Sequence, residues 1–310
     1  MRAAAVELYR QNFSRGRFSK VWREHKEKYL MIAPFALVFI VFALIPITVS
    51  IVLSFTSFNM FETPKFTGFG NYINLLAFDP VFLIAVKNTL LLAVVTGPAS
   101  YLMCFVFAWL INELTPKIRA LMTLVFYAPS ISGNAYLMWK LFFSSDINGF
   151  FNAWAVKLGL ITEPVLWFEA KENIMPILII VQLWMSIGVS FLSFIAGLQN
   201  VDKQLYEAGA IDGIKNRWQE LWHITLPSMK PQLMFGAVMQ ITASLSIAGI
   251  SIDLVGFPSV EYAGHTILTH LHDYGSLRYE MGYACAIATV LFFMMMFANI
   301  IVQKLLRRLG

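Results

Sequence analysis

Six apolar stretches, each about as long as a bilayer is thick, constrain this chain more than any other feature of its sequence. They run Leu30 to Leu53, Val81 to Ile111, Ala120 to Phe143, Ile174 to Ala196, Leu233 to Val255 and Met281 to Val302. A spanning helix needs roughly 20 apolar residues, because lipid offers backbone N–H and C=O groups no partner outside the helix itself. None of the six shows the alternating pattern of a membrane barrel strand. The second is long enough to tilt or to begin as an interfacial helix. The expected fold is an all-α polytopic membrane protein with six transmembrane helices. Composition agrees: 58% of the residues are hydrophobic and 13% charged, with a mean hydropathy of +0.66. A soluble domain carries about 25% charged residues.

Lys and Arg in the loops set the orientation. Seventeen fall in the N-terminal tail, the second and fourth loops and the C-terminal end, against four in the other three loops. Both termini are therefore expected in the cytoplasm, with 1–29 a basic cytoplasmic segment and 30–306 the membrane domain. The net charge of +5 then reports topology and not nucleic-acid binding, since the basic residues flank spans. The tail is also placed to touch anionic lipid head groups. The first apolar stretch is longer than the roughly 7–15 residues of a signal h-region, so it reads as a span and not a cleavable leader. Cys104 and Cys285 lie within spans and read as small core residues, with no disulfide or metal framework.

Polar residues inside spans need partners. In the fourth span Gln182, Ser186, Ser190 and Ser193 share one helix face. In the fifth, Thr242, Ser246, Gly249 and Asp253 share a face, and Gln240, Ser244 and Ser251 lie roughly opposite. A span polar on two sides belongs in the centre of a bundle, packing on one side and open to line a path on the other. Each Ser or Thr serves either close helix packing or such a path. In the third span, YAPSISGNAYLMW, Pro129 and Gly133 should bend or interrupt the helix. Broken helices line cavities in transporters, although a kink can also be tolerated without a role. The candidate path residues are Asn134, Tyr136, Gln182, Trp184, Gln240 and Ser244, whose hydrogen-bonding groups and aromatic faces suit an uncharged, hydroxyl-rich solute.

Between the fourth and fifth spans lies a polar, mixed-charge insert, EAGAIDGIKNRWQELWHITLP over Glu207 to Pro227. It is too poor in apolar residues to be a span. The pattern predicts two short surface helices joined at Gly213, one over Lys203 to Ile211 and one over Lys215 to His223. The second should carry Trp218, Leu221 and Trp222 on one face. Gly213 permits a turn that a Cβ would oppose, and Pro227 stops the helix or opens the next. Exposed aromatics at a membrane surface imply either a protein partner or an amphipathic segment lying on lipid.

The residues Glu207-Ala208-Gly209, Asp212-Gly213 and Ile224-Thr225-Leu226-Pro227 resemble the EAA signature of binding-protein-dependent ABC-importer permeases of the type I fold. The phrase RWQELWHITLP, Arg217 to Pro227, is similar to the branch that carries oligosaccharides and polysaccharides. The resemblance extends along the chain: Pro34, Pro46 and Ser54-Phe55-Thr56; Gly68-Phe69-Gly70-Asn71-Tyr72 and Lys87-Asn88-Thr89; Trp139, Gly149 and Asn152; and Met281-Gly282-Tyr283-Ala284. Two departures stand out. Gly209 replaces the usual small residue such as Ala, and the interval from Gly213 to Ile224 is one residue longer than the common pattern.

The resemblance implies a permease that pairs with a second permease, two ATP-binding subunits and an external binding protein, and that moves carbohydrate by ATP-driven alternating access. The loop 201–230 would dock the ATPase through Glu207, Ala208, Gly209, Asp212, Gly213, Trp218, Leu221, Trp222 and Pro227. ATP and Mg would bind the partner subunits, since this chain has no GxxxxGK[ST] sequence. Two other classes compete. An ion-coupled secondary transporter would rest on Asp253, the one candidate intramembrane carboxylate, which is peripheral, near the external end of its span, where a simple place at the water interface also accounts for it. A membrane enzyme would rest on His265, His270 and His272 as a metal site, whereas the expectation here is solvated loop histidines and no catalytic residue.

Overall fold

Proline, glycine and the lengths of the apolar runs decide where the helices begin and stop. The computed structural model describes residues 25–308, and most of the chain is helical. The basic residues from Arg2 to Arg23 lie outside the described residues. The contacts divide the chain into two units, with the boundary between Leu53 and Ser54.

The first unit is one helix, α1 (His25–Leu53), and none of its residues is buried. Pro46 has no N–H, and its ring crowds the carbonyl one turn back. The helix meets this with a wider turn at Ile40–Leu44, where the Ile45 N–H reaches the Ile40 carbonyl, and regular helix resumes at Ile45–Leu53.

The second unit opens with a short antiparallel hairpin, β1 (Thr56–Ser57) against β2 (Lys65–Phe66). The Asn71 amide donates to the Ser54 and Thr56 carbonyls at 2.8 and 2.9 Å and fixes the hairpin to the next turn. Helix α2 (Pro80–Asn112) follows and runs unbroken through Pro98. Asp79 caps it by accepting the Phe82 N–H at 2.9 Å, and Pro80 occupies the first turn, where a missing N–H costs nothing. After a tight turn, α3 (Pro116–Ile131) also starts on a proline in its first turn, without a side-chain cap from Thr115. The loop beyond it contains α4 (Phe150–Lys157).

The next span, Lys171–Gln199, is two helices, α5 (Lys171–Met185) and α6 (Val189–Gln199), parted at 186–188. The polar insert supplies α7 (Lys203–Ile211) and α8 (Arg217–Glu220). The span Lys230–Val255 is likewise divided, into α9 (Lys230–Leu245) and α10 (Gly249–Val255), parted at 246–248. The chain closes with α11 (Ile267–His272) in the last loop and α12 (Met281–Arg308).

Among the described residues, five segments are long and apolar enough to cross a membrane: His25–Leu53, Pro80–Asn112, Lys171–Gln199, Lys230–Val255 and Met281–Leu306. The stretch 120–143, expected as a sixth, is not one helix. α3 stops at Ile131, residues 132–134 turn with Gly133 at φ +63°, and the chain resumes as a tight turn at Ala135–Met138 and a short helix at Trp139–Phe142. A break in lipid frees carbonyls that must find donors. At the α5–α6 break the Ser186 carbonyl accepts the Gln240 amide at 3.1 Å, and at the α9–α10 break the Ile247 carbonyl accepts the Thr266 hydroxyl at 2.8 Å.

The largest core cluster lies towards the insert, where Cys104, Phe105, Ala108 and Ile111 of α2 meet Phe191, Phe194 and Leu198 of α6 and Leu221, Ile224 and Met229 beyond α8. A second cluster packs Phe82 and Ala85 of α2 against Ile267 of α11 and Ile287 and Leu291 of α12. α2 is common to both.

Candidate functional site

The insert folds against the end of α2 and leaves one side open. α7 covers Lys203–Ile211, the range read from the sequence, and is capped by Asp202, whose carboxylate accepts the Gln204 N–H at 3.0 Å. Gly213 has φ +96°, a conformation that side chains with a Cβ rarely adopt. The second helix starts at Arg217, two residues later than expected. It continues through a wider turn at Leu221–Thr225 into Leu226–Ser228, where Pro227 again stands in a first turn.

Trp218, Leu221 and Trp222 do not share one fate. Leu221 is buried, while Trp218 and Trp222 are 63% and 66% exposed. The reason is that Leu221 joins Ile224 and Thr225 beneath the insert, where the Tyr206 and Thr225 hydroxyls bond at 2.9 Å. Glu207, Ala208, Asp212, Gly213 and Pro227 are exposed, and Gly209 is buried. A Cβ at Gly209 would lie 2.7 Å from Ile224 Cδ1 and 3.0 Å from Ile214 Cδ1, so the departure from Ala has a local cause in these two isoleucines.

Two contacts absent from the sequence reading tie the insert to α2. The Arg217 guanidinium donates to Glu220 at 2.8 Å and to Glu113, at the end of α2, at 2.9 Å. The Trp218 and Trp109 rings lie 5.4 Å apart. Glu220 first, and Glu113 with it, push the Arg217 pKa above its already high ordinary value, so the fork stays charged. Glu113 and Arg217 are too far apart in sequence for any local pattern to pair them.

The two polar faces of the fifth span part completely. Gln240, Ser244 and Ser251 are buried, while Thr242, Ser246, Gly249 and Asp253 are exposed. Gln240 uses its whole amide: it accepts from Ser100 at 2.9 Å and donates to the Ser186 carbonyl and to Cys104 Sγ, at 3.1 and 3.3 Å. Gln182 is buried too and donates to the Ala243 carbonyl at 3.4 Å. Tyr136 is buried apart from its hydroxyl contacts, which are a short hydrogen bond to Asp253 and a long one to Asn134 Oδ1 at 3.5 Å. Asn134 is exposed, and the half-buried Trp184 stands edge-on to Trp139 at 5.7 Å. Asn134, Tyr136 and the exposed stripe thus come together, whereas Gln240 and Ser244 lie behind it.

The histidines of the last loop are not solvated as expected. His265 and His270 are 3% and 2% exposed. Their rings bond Nε2 to Nδ1 at 3.0 Å, and His270 Nε2 donates to Asp79 Oδ2 at 3.0 Å. Tyr283 donates to the same carboxylate oxygen at 3.0 Å. Burial, with the neighbouring His270, lowers the His265 pKa to about 4. Burial lowers that of His270 too, against the pull of Asp79. Burial would raise Asp79, but the Phe82 N–H, His270 and Tyr283 together outweigh it and hold the pKa below the ordinary value. Aromatic neighbours and the fold of 256–266 bury these rings, and neither is visible in the spacing of three histidines. Nearby, Asn88 of α2 reaches the Tyr262, Ala263 and His265 carbonyls at 3.0, 3.2 and 2.9 Å, and Thr89 accepts the Ile267 N–H at 2.9 Å.

No protein-family model matches the chain. Relatives and solved structures do. It is 31% identical to the probable ABC transporter permease protein YesP of Bacillus subtilis, over 85% of this chain and 84% of that protein. It is also 31% identical to the arabinooligosaccharides transport system permease protein AraP of the same organism, over 89% of this chain and 87% of the relative. Among solved structures it resembles a chain of a bacterial ABC transporter that imports the acidic polysaccharide alginate, with TM-score 0.73 and 26% identity over 94% of this chain and 99% of the other. A second structure of an alginate ABC transporter, bound to a periplasmic protein carrying an alginate pentasaccharide, matches with the same TM-score of 0.73 at 25% identity, over 93% and 98% of the two chains.

Proposed function

The chain belongs to the family of ABC-transporter permeases, and on that premise we propose that it forms half of the path by which a carbohydrate, an oligosaccharide or polysaccharide fragment, is imported into a bacterial cell. It is a multi-pass membrane component of a transporter and not an enzyme. The remaining halves of the machine are a second permease, two subunits that bind ATP and Mg, and an external protein that delivers the sugar. The interrupted segment 116–142 makes the sixth crossing, which returns the chain to the side it left and puts both termini in the cytoplasm, as the basic loops require.

The observation that carries this reading is the stripe Thr242, Ser246, Gly249 and Asp253. It is an exposed polar face on a span that already buries another polar face. Hydroxyls and a carboxylate at membrane depth are costly against lipid, so they face water or a partner. The stripe, with Asn134 and the Tyr136 hydroxyl beside Asp253, is the wall this chain gives to the path. Sugar hydroxyls find acceptors and donors there, and no basic side chain is among these residues. Gln182, Gln240 and Ser244 act behind the wall and hold its helices in place.

At the other end, the exposed Glu207, Ala208, Asp212, Trp218 and Trp222 dock an ATPase. Closure of the ATPases on ATP moves this loop, and the paired permeases alternate between facing in and facing out. Purification of the chain with its operon partners tests the assignment. Wild type should bring down an ATPase, and Glu207→Lys with Gly213→Trp should not. Ser246→Trp should bring it down normally yet abolish sugar uptake. An intact wild-type preparation that binds no ATPase would end the proposal.

A further inference from the structure

We propose that α2 is the strut that carries motion from the docking loop to the external loop, with Glu113–Arg217 as its inner joint and Asn88–Thr89 as its outer joint. The inference rests on the permease reading above and concerns how its two ends communicate. Motion travels best along an element that does not bend. The spans Lys171–Gln199 and Lys230–Val255 are each broken in the middle, at 186–188 and 246–248. α3 stops at Ile131. α12 is continuous, but among the described residues the cluster beneath the docking loop contains none of its side chains. Among the described residues, α2 alone is both unbroken and packed at each end.

The inner joint is ionic and aromatic. Arg217 bridges Glu220 within the loop to Glu113 on α2, and Trp218 lies on Trp109. The Glu113 and Arg217 side chains are both well exposed, so a pair of this kind contributes little to stability. Glu220 holds one guanidinium nitrogen within the loop and so aims the other at Glu113, while the Trp218–Trp109 ring contact supplies the second point of attachment. The outer joint is buried and neutral. One Asn88 amide gathers the carbonyls of residues 262, 263 and 265, and Thr89 receives the Ile267 N–H, so the external loop follows the helix end. Between the joints the helix has its one weak point, Gly97-Pro98, and there it is pinned to its neighbour by Ser100 donating to Gln240 at 2.9 Å. Asn88 and Glu113 are about 37 Å apart along the axis, at roughly 1.5 Å per residue.

Sugar uptake and ATP hydrolysis, measured together on the reconstituted transporter with its binding protein, test the strut. Glu113→Gln and Asn88→Ala are made singly and together. Thr89→Val breaks the outer joint more gently should Asn88→Ala fail to assemble. Each single variant is expected to lower uptake per ATP about tenfold, within the usual range for coupling between sites. Hydrolysis itself should persist, and the double variant should do no worse than the poorer single one, because both interrupt the same connection. Effects that multiply in the double variant would overturn the proposal, as would uptake and hydrolysis falling in parallel. A wild-type transporter that couples normally keeps either result separate from a failure of the permease assignment.

Discussion

The loop at 201–230 and the loop at 256–280 are both polar, both joined to spans and both built around short helices, yet they are organised in opposite ways. The first turns its large aromatics outwards, with Trp218 and Trp222 exposed and its polar cap residues at the surface. The second turns its polar groups inwards, with His265, Thr266, Thr269 and His270 buried and hydrogen-bonded. Exposed apolar surface on an ordered loop implies a partner. Buried polar groups with full hydrogen bonding imply a fixed geometry, because losing one partner leaves the other unpaired in a low dielectric. The contrast teaches that one loop is a socket and the other a clamp.

The largest expected effect breaks the clamp. His270→Ala removes one donor to the half-buried Asp79, which keeps the Phe82 N–H and Tyr283, and leaves the buried His265 Nε2 without its acceptor. A cost of about 3 kcal/mol is expected from such a loss. It should appear as a lowered Tm in detergent and as faster hydrogen exchange in 256–280, with exchange in 201–230 unchanged. Equal loosening of both loops would erase the distinction between them.

Acid should act on the same place more gradually. The His265 pKa of about 4 lies below the value of 6.5 that it regains when the loop opens. The open form therefore binds more protons between those values, and the clamp is at full strength above about pH 6.5 and weakens as the pH falls towards 4. Asp79, Asp273 and Arg278 are the charged groups around the pair, and Asp79 remains ionised across most of that window. Amide protection factors in 256–280, which are corrected for the intrinsic effect of pH on exchange, should fall from pH 7 to pH 5 in wild type, and the fall should shrink in His265→Gln. A flat profile in wild type would show that the ring is charged or solvated and not buried neutral.

The sequence carried the socket further than the clamp, for physical reasons. Gly213, the limits of α7 and the turn at Pro227 follow from local rules about φ and capping, so they were legible. The burial of Leu221 away from Trp218 and Trp222 was not, since it depends on a surface offered by α2 and α6. The breaks at 186–188 and 246–248 also escaped notice, because the apolar pattern runs on through them. Pro129 and Gly133 did announce the third break. The faces of the fifth span could be separated by periodicity alone, but which face was buried could not. His265, His270 and Asp79 meet only because the external loop folds back on α2.

A smaller change sharpens the view of the socket from within. Gly209→Ala places a methyl group against the free ends of Ile224 and Ile214, which can swing aside. A cost of about 1 kcal/mol is expected for overfilling such a site. Ile224→Val together with Gly209→Ala should recover most of it, as measured by Tm. A full loss of folding would mean that the insert is packed as rigidly as the external clamp.

The smallest expected effect on stability is the one that decides what the socket is for. Trp222 is 66% exposed, so Trp222→Ala should change stability by less than about 0.5 kcal/mol and leave Tm nearly unmoved. Aromatic side chains that dominate an interface commonly cost 2 kcal/mol or more when truncated, roughly thirtyfold in affinity. The variant should therefore fold as wild type and lose its ATPase during purification. If it melted early, the ring would be holding the chain together despite its exposure. If it folded and kept its ATPase, Trp222 would instead face the head groups of the lipid, and docking would fall to Glu207, Ala208, Asp212 and Trp218.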